Sequence, residues 1–179
     1  LYGIAALSSG RDEAGLKAIQ RALSLAPEKA ILRLSLVDYY NAPPRKNAEA
    51  ALAELQKAYE IEAKNSDIQA VLIKQLLFMK RKDEAASFVK DTIKRFGKEA
   101  ETYINAGQYY AAIRDYNSAT KMFKRAGSID PSNKKVSSYL ANIALRQRQP
   151  IQAFEQYQAI VQNAPQDVYA YRGLITASA

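Results

Sequence analysis

The sequence predicts an all-α solenoid of antiparallel helix pairs, and three observations carry that prediction. Ala51, Ala85, Ala119 and Ala153 stand 34 residues apart. Each is followed four residues later by a bulky apolar side chain, Leu55, Val89, Phe123 or Tyr157. The same period brings Ala63, Gly97, Pro131 and Pro165 into register, at places where a helix should stop. A unit of this length is one helical hairpin, which cannot bury its apolar face alone and must stack on its neighbours. Binding along a surface is the expected use of such an array.

Taken in order, residues 1–9 read as a partial helix and Arg11 to Ala26 as the next, stopped by Pro27, whose ring fixes φ and removes a donor. Glu28 to Asn41 follows, with Leu32, Leu36, Val37 and Tyr40 on one side at spacings of three and four. Asn41-Ala42-Pro43-Pro44 breaks that helix, and this hairpin runs 36 residues because its loop holds two extra; the next helix resumes near Lys46. The third hairpin pairs Asp67 to Lys80 with Asp83 to Phe96, and Gly97 is its candidate left-handed C-cap. The fourth pairs Ala100 to Ile113 with Tyr116 to Ile129, after which Ser132 or Asn133 can cap the following helix. Lys134 to Arg148 and Ile151 to Asn163 form the fifth, Pro150 suiting a first turn, and Val168 to Ala179 opens a sixth. About eleven helices result, in one array over 1–179 with repeats at about 1–29, 30–65, 66–99, 100–133, 134–167 and 168–179. Alternation of period two never persists long enough to suggest a strand. Both ends read as cuts through a longer array.

Composition narrows the chemistry. Cysteine, histidine and tryptophan are absent, which removes disulfides, thiol nucleophiles, imidazole bases and the usual zinc ligands. No metal or cofactor is expected. The net charge of +8 comes from 26 basic and 18 acidic residues mixed along the helices. Its longest basic run, Lys80-Arg81-Lys82, falls at a helix junction and reads as a solvated turn. No stretch is apolar for long enough to span a membrane. Periplasm, cell envelope and cytoplasm all fit.

The fourth hairpin alternates large and small residues, with Tyr103, Gly107 and Tyr110 in its first helix, then Tyr116, Ala119, Phe123, Ala126 and Pro131. In this it resembles a tetratricopeptide repeat. Gly107 and Ala119 let two helices approach while Tyr103, Tyr110 and Phe123 fill the space beside them. The fifth hairpin keeps Leu140, Ala141, Ala144, Ala153, Tyr157 and Pro165 but has Ser137 for the aromatic and Ile160 for the second alanine. The third keeps Leu72, Leu76 and Ala85, the second Leu36, Tyr40, Ala51 and Ala58, and the first Gly3, Gly15, Ala22 and Pro27. The resemblance implies a right-handed superhelix and a non-catalytic protein-interaction scaffold. It is similar in style to bacterial arrays of envelope and exopolysaccharide export systems.

In this family the first helices line a concave groove that receives partners. Carried onto this chain, the groove-facing positions are Asp38, Asn41, Lys74, Phe78, Asn105, Gln108, Tyr139, Asn142, Arg146, Tyr169 and Arg172, of which Phe78 is expected to be core instead. Amides can bond an extended backbone and arginine can hold a carboxylate, so a protein or peptide partner with acidic character fits. The lysine, asparagine and arginine clamp by which one branch of the family grips a C-terminal carboxylate is missing. Tyr103, Tyr110, Tyr116 and Tyr157 occupy packing positions, whereas Tyr39, Tyr109, Tyr139 and Tyr169 are less constrained. Asp12-Glu13 and Asp83-Glu84 start second helices, where negative charge suits the helix dipole. Neighbouring helical positions diverge by about 100°, so neither pair converges on one substrate atom. The alternative is a basic solenoid that binds nucleic acid or another polyanion; no repeated pair of base-reading side chains supports it.

Overall fold

The computed structural model describes residues 12–43, 46–163 and 165–178, so the partial helix expected at 1–9, with Gly3, lies outside the described residues. Ten α-helices and no strand occur among the described residues: α1 (Asp12–Leu25), α2 (Ala30–Asn41), α3 (Ala48–Ile61), α4 (Ser66–Phe78), α5 (Lys82–Phe96), α6 (Ala100–Ala112), α7 (Tyr116–Ile129), α8 (Lys134–Arg146), α9 (Pro150–Asn163) and α10 (Val168–Ser178). They group into two compact units, one reaching to Phe88 and the other starting at Val89.

Within the first unit α2 packs on α1 and α3, and α3 on α4. Arg33 on α2 donates from Nη1 to Glu54 Oε2 on α3 at 2.9 Å, and Tyr59 meets Phe88 edge to face with centroids 4.9 Å apart. Within the second unit α6 packs on α7, α7 on α8, α8 on α9 and α9 on α10. The periodic alanines Ala51, Ala85, Ala119 and Ala153 are all fully buried, as are Leu55, Val89 and Phe123. Small residues at these points let helix axes close up, and the aromatic or aliphatic side chain one turn on fills the interface.

The helix boundaries correct the sequence reading in one systematic way. First helices end earlier than expected, at Phe78, Ala112 and Arg146, because the next residues form a cap. Among the described residues the non-glycine positions with left-handed backbone are Lys46, Lys80, Arg114 and Arg148, with φ of 41°, 61°, 65° and 57°. They are spaced by the repeat period. At Lys80 the bonding is a Schellman motif: Arg81 N–H donates to the Leu76 carbonyl at 2.9 Å and Lys80 N–H to that of Leu77 at 3.0 Å. Asp115 to Tyr110 with Arg114 to Ala111, and Gln149 to Ala144 with Arg148 to Leu145, repeat the pattern. A basic side chain there sits at the negative end of the helix dipole, which offsets part of the strain of a left-handed non-glycine residue. Gly97, by contrast, is not left-handed. A Cβ on it would stand 2.5 Å from the Ile93 carbonyl oxygen, so glycine serves close approach there.

The turn chemistry gives two predictions. Lys80→Val, which places a β-branched residue at positive φ, should destabilise the first unit by about 1–2 kcal/mol, while Lys80→Gly should be neutral or stabilising in the same urea titration. Equal losses in both would show that the side chain, not the backbone, matters. The second concerns Asp115, whose carboxylate caps α7 by accepting from Ser118 N–H at 3.0 Å. That bond holds its pKa below the ordinary carboxylate value. A depressed folded-state pKa contributes stability above the unfolded value and loses it as pH falls through the folded one. Asp115→Asn keeps a capping oxygen but cannot titrate, so its acid unfolding profile should be shallower than that of the parent. Parallel profiles would exclude the cap as an acid-sensitive element.

Candidate functional site

The second unit carries an open groove of about 540 Å³ between α6, α7 and α8. Four residues singled out from the sequence line it together: Gln108 on α6 and Tyr139, Asn142 and Arg146 on α8. Their common face follows from spacings of three and four along α8. Below them lies an aromatic floor. Phe123 on α7 is fully buried and stacks on Tyr139, ring planes 10° apart and centroids at 4.8 Å. Tyr116 adds a third ring at the side.

The polar groups of this groove are partly committed. Gln108 Nε2 donates to the Tyr139 hydroxyl, which fixes that ring from above. Asn142 Nδ2 donates to the Ser138 carbonyl of its own helix at 2.8 Å. Both amides thus turn N–H groups toward the protein and keep their carbonyl oxygens as acceptors for an incoming N–H. Arg146, together with Arg114 from the left-handed turn, supplies exposed guanidinium groups at the rim; neither forms an ion pair among the described residues. No carboxylate lines the groove. The site is therefore electropositive at its edge, accepting at its sides and apolar beneath.

The other expected positions do not join it. Asn105 is buried at 7% exposure, and Tyr109, read from the sequence as less constrained than the packing tyrosines, is buried at 5%. The period explains Tyr109, since 34 residues on either side stand Gln75 and Ile143, which are also buried. Phe78 corrects the opposite error: it is 73% exposed rather than core. It shares its register with Ala112 and Arg146, both outward-facing. Asp38 and Lys74 are exposed on α2 and α4 in the first unit. Asn41 donates from Nδ2 to Gln75 Oε1 at 3.0 Å, which engages it in tying α2 to α4. Tyr169 is 80% exposed and Arg172 also faces solvent, but neither lines the groove. Tyr169 falls in register with Lys135 and Glu101, which pair at 3.3 Å on the flank of their helices. Sequence reasoning missed Arg114, although a basic residue recurring with the repeat at 46, 80, 114 and 148 was visible.

Residues 98–168, the segment that contains this groove, match the family model of the tetratricopeptide repeat. This segment carries tetratricopeptide repeats. Solved structures extend the tetratricopeptide-repeat fold over the rest of the sequence. TTC0263, a thermophilic TPR protein of Thermus thermophilus, is similar at a TM-score of 0.70 with 20% identity, over 98% of this chain and 95% of that one. Pseudomonas aeruginosa pilF gives 0.64 with 17% identity, over 99% and 84%. YrrB, described as a TPR protein with an unusual peptide-binding site, gives 0.59 with 17% identity, over 94% and 87%. No curated protein matches the sequence. Among the described residues no helix is long and apolar enough to cross a membrane.

Proposed function

We propose that this tetratricopeptide-repeat chain is a non-catalytic interaction scaffold whose groove between α6, α7 and α8 holds an acidic peptide segment of a partner protein. The observation that carries the reading is that, among the described residues, Arg114 and Arg146 form no ion pair and no carboxylate lines their groove, beside the Tyr116, Phe123 and Tyr139 rings. Guanidinium groups hold carboxylates through two parallel hydrogen bonds, and the amide oxygens of Gln108 and Asn142 can accept from the peptide backbone. The peptide-binding site of the similar protein YrrB supports the class of ligand. Asp38, Lys74, Tyr169 and Arg172 stand outside this groove and would serve other contacts of the scaffold. A bacterial envelope or exopolysaccharide export assembly, the setting that the resemblance implies, is compatible with this role.

The test is a fluorescence-anisotropy titration with a labelled, blocked peptide containing Glu and Leu. Arg114→Ala/Arg146→Ala should weaken binding about tenfold or more, the loss expected for two charge-assisted contacts, while thermal stability falls only by the small helix-dipole contribution of Arg114 and the chain stays folded at the assay temperature. Unchanged affinity would overturn the assignment. A steep loss of binding with salt in both proteins would point to non-specific polyanion attraction instead.

A further inference from the structure

On another face of α8 the second unit opens a wider cleft, of about 720 Å³, between α7 and α9. Its floor is Leu140, Ile143 and Ala144. Gln149, Gln152 and Gln156 project from one side, and Lys121 and Lys124 from the other. The spacing of three and four puts the glutamines in a row spanning about 10 Å of the α9 edge, close to the length of three extended residues. None of these three amide side chains makes a hydrogen bond among the described residues, and Lys124 has no ion pair there. At the end of α8, Gln147 Nε2 donates to Asn117 Oδ1 at 3.3 Å and closes the cleft.

We propose that this cleft is a second peptide-binding surface, taking an extended segment that carries a carboxylate. The argument is the inventory of groups. Each glutamine offers donors and an acceptor, which matches the alternating N–H and C=O of an extended backbone. A phosphate polymer needs donors only, and it would leave the acceptor oxygens of the glutamines and of Glu155 without a partner, whereas a peptide backbone supplies N–H groups to them. A sugar or base would find no aromatic ring to stack on, since none lines the cleft. The two lysines against one glutamate select a segment with negative charge. The groove uses Tyr139, Asn142 and Arg146 and the cleft uses Leu140, Ala144 and Gln147, so the polar groups of α8 divide between the two sites, which share the Ile143 side chain between them. The cleft does not depend on the groove assignment.

Nuclear magnetic resonance on the ¹⁵N-labelled chain tests this, with the side-chain NH₂ signals of Gln149, Gln152 and Gln156 as readout. The probes are a blocked octapeptide alternating Thr and Glu, which favours extended backbone, inorganic polyphosphate, and a linear glucose oligomer. The peptide should shift those three amide pairs. Gln152→Ala/Gln156→Ala should weaken the peptide affinity, followed by the remaining Gln149 pair and the Gln147 side-chain amide, about fivefold or more, whereas Arg114→Ala/Arg146→Ala should leave it unchanged. Both glutamines are solvent-facing or half-buried, so the variant retains its fold, checked by the backbone spectrum. Shifts with polyphosphate or the glucose oligomer but not the peptide would overturn the proposal. So would peptide shifts confined to Asn142 and its neighbours, a result that would leave the groove standing, or no shift at millimolar peptide.

Discussion

Phe123→Ala is expected to destabilise the second unit by about 3–5 kcal/mol, the usual loss for truncating a fully buried aromatic side chain. Phe123 is 1% exposed and belongs to the cluster of Ala100, Ile104, Ala119, Ala126, Val136 and Ile143 that joins α6, α7 and α8. Truncation removes the ring that stacks on Tyr139 and opens a cavity under the groove. Urea unfolding followed by circular dichroism measures it, and peptide binding should fall along with stability. A loss below about 1 kcal/mol would mean that the neighbours collapse into the space, and that this residue is not the centre of the hairpin contact.

Gly107→Leu tests the same contact from the other side. A Cβ at Gly107 would lie 2.5–2.8 Å from the Cε1, Cδ1 and Cζ atoms of Phe123. Those atoms belong to a ring pinned between α6 and Tyr139, so relief requires the helices to part. Overpacking of this kind costs about 1–3 kcal/mol, at the upper end here because leucine adds three further carbons. The diagnostic is coupling: Phe123→Leu on the Gly107→Ala background should restore part of the loss, because the smaller side chain makes room. Additive losses would place the clash elsewhere. A different glycine contact occurs at Gly173, in register with Tyr139 rather than with Gly107, where a Cβ would meet the Tyr157 ring of the preceding helix.

Much of this fold is legible from a single period. The alanines at 51, 85, 119 and 153 are core because helix approach requires a small residue at a fixed point of each hairpin, and sequence registers that requirement directly. The turns are less legible because glycine is the usual signal of a left-handed cap. Lys80, Arg114 and Arg148 take that position instead, where a cation at the helix end compensates in part for an unfavourable φ. Four of the ten positions read from the sequence, Gln108, Tyr139, Asn142 and Arg146, share one groove. Phe78 and Tyr109 run against residue type, the apolar ring standing outside and the phenolic one inside. Register decides both: Phe78 stands with the exposed Arg146, and Tyr109 with the buried Ile143. Arg114 belongs to the groove because a loop residue can be brought to a site by the turn that holds it, which helical spacing does not reveal.

The central claim, that the groove of the second unit is where this scaffold holds a protein partner, is tested most directly by site-specific photo-crosslinking in lysate of the source cells. A photoreactive amino acid replaces Asn142 in one preparation and exposed Gln158 in another, each with and without Arg114→Ala/Arg146→Ala. Crosslinking of a discrete protein from position 142, insensitive to nuclease and lost with the two arginines, is the predicted result. Equal capture from both positions, or capture that nuclease abolishes, would contradict it.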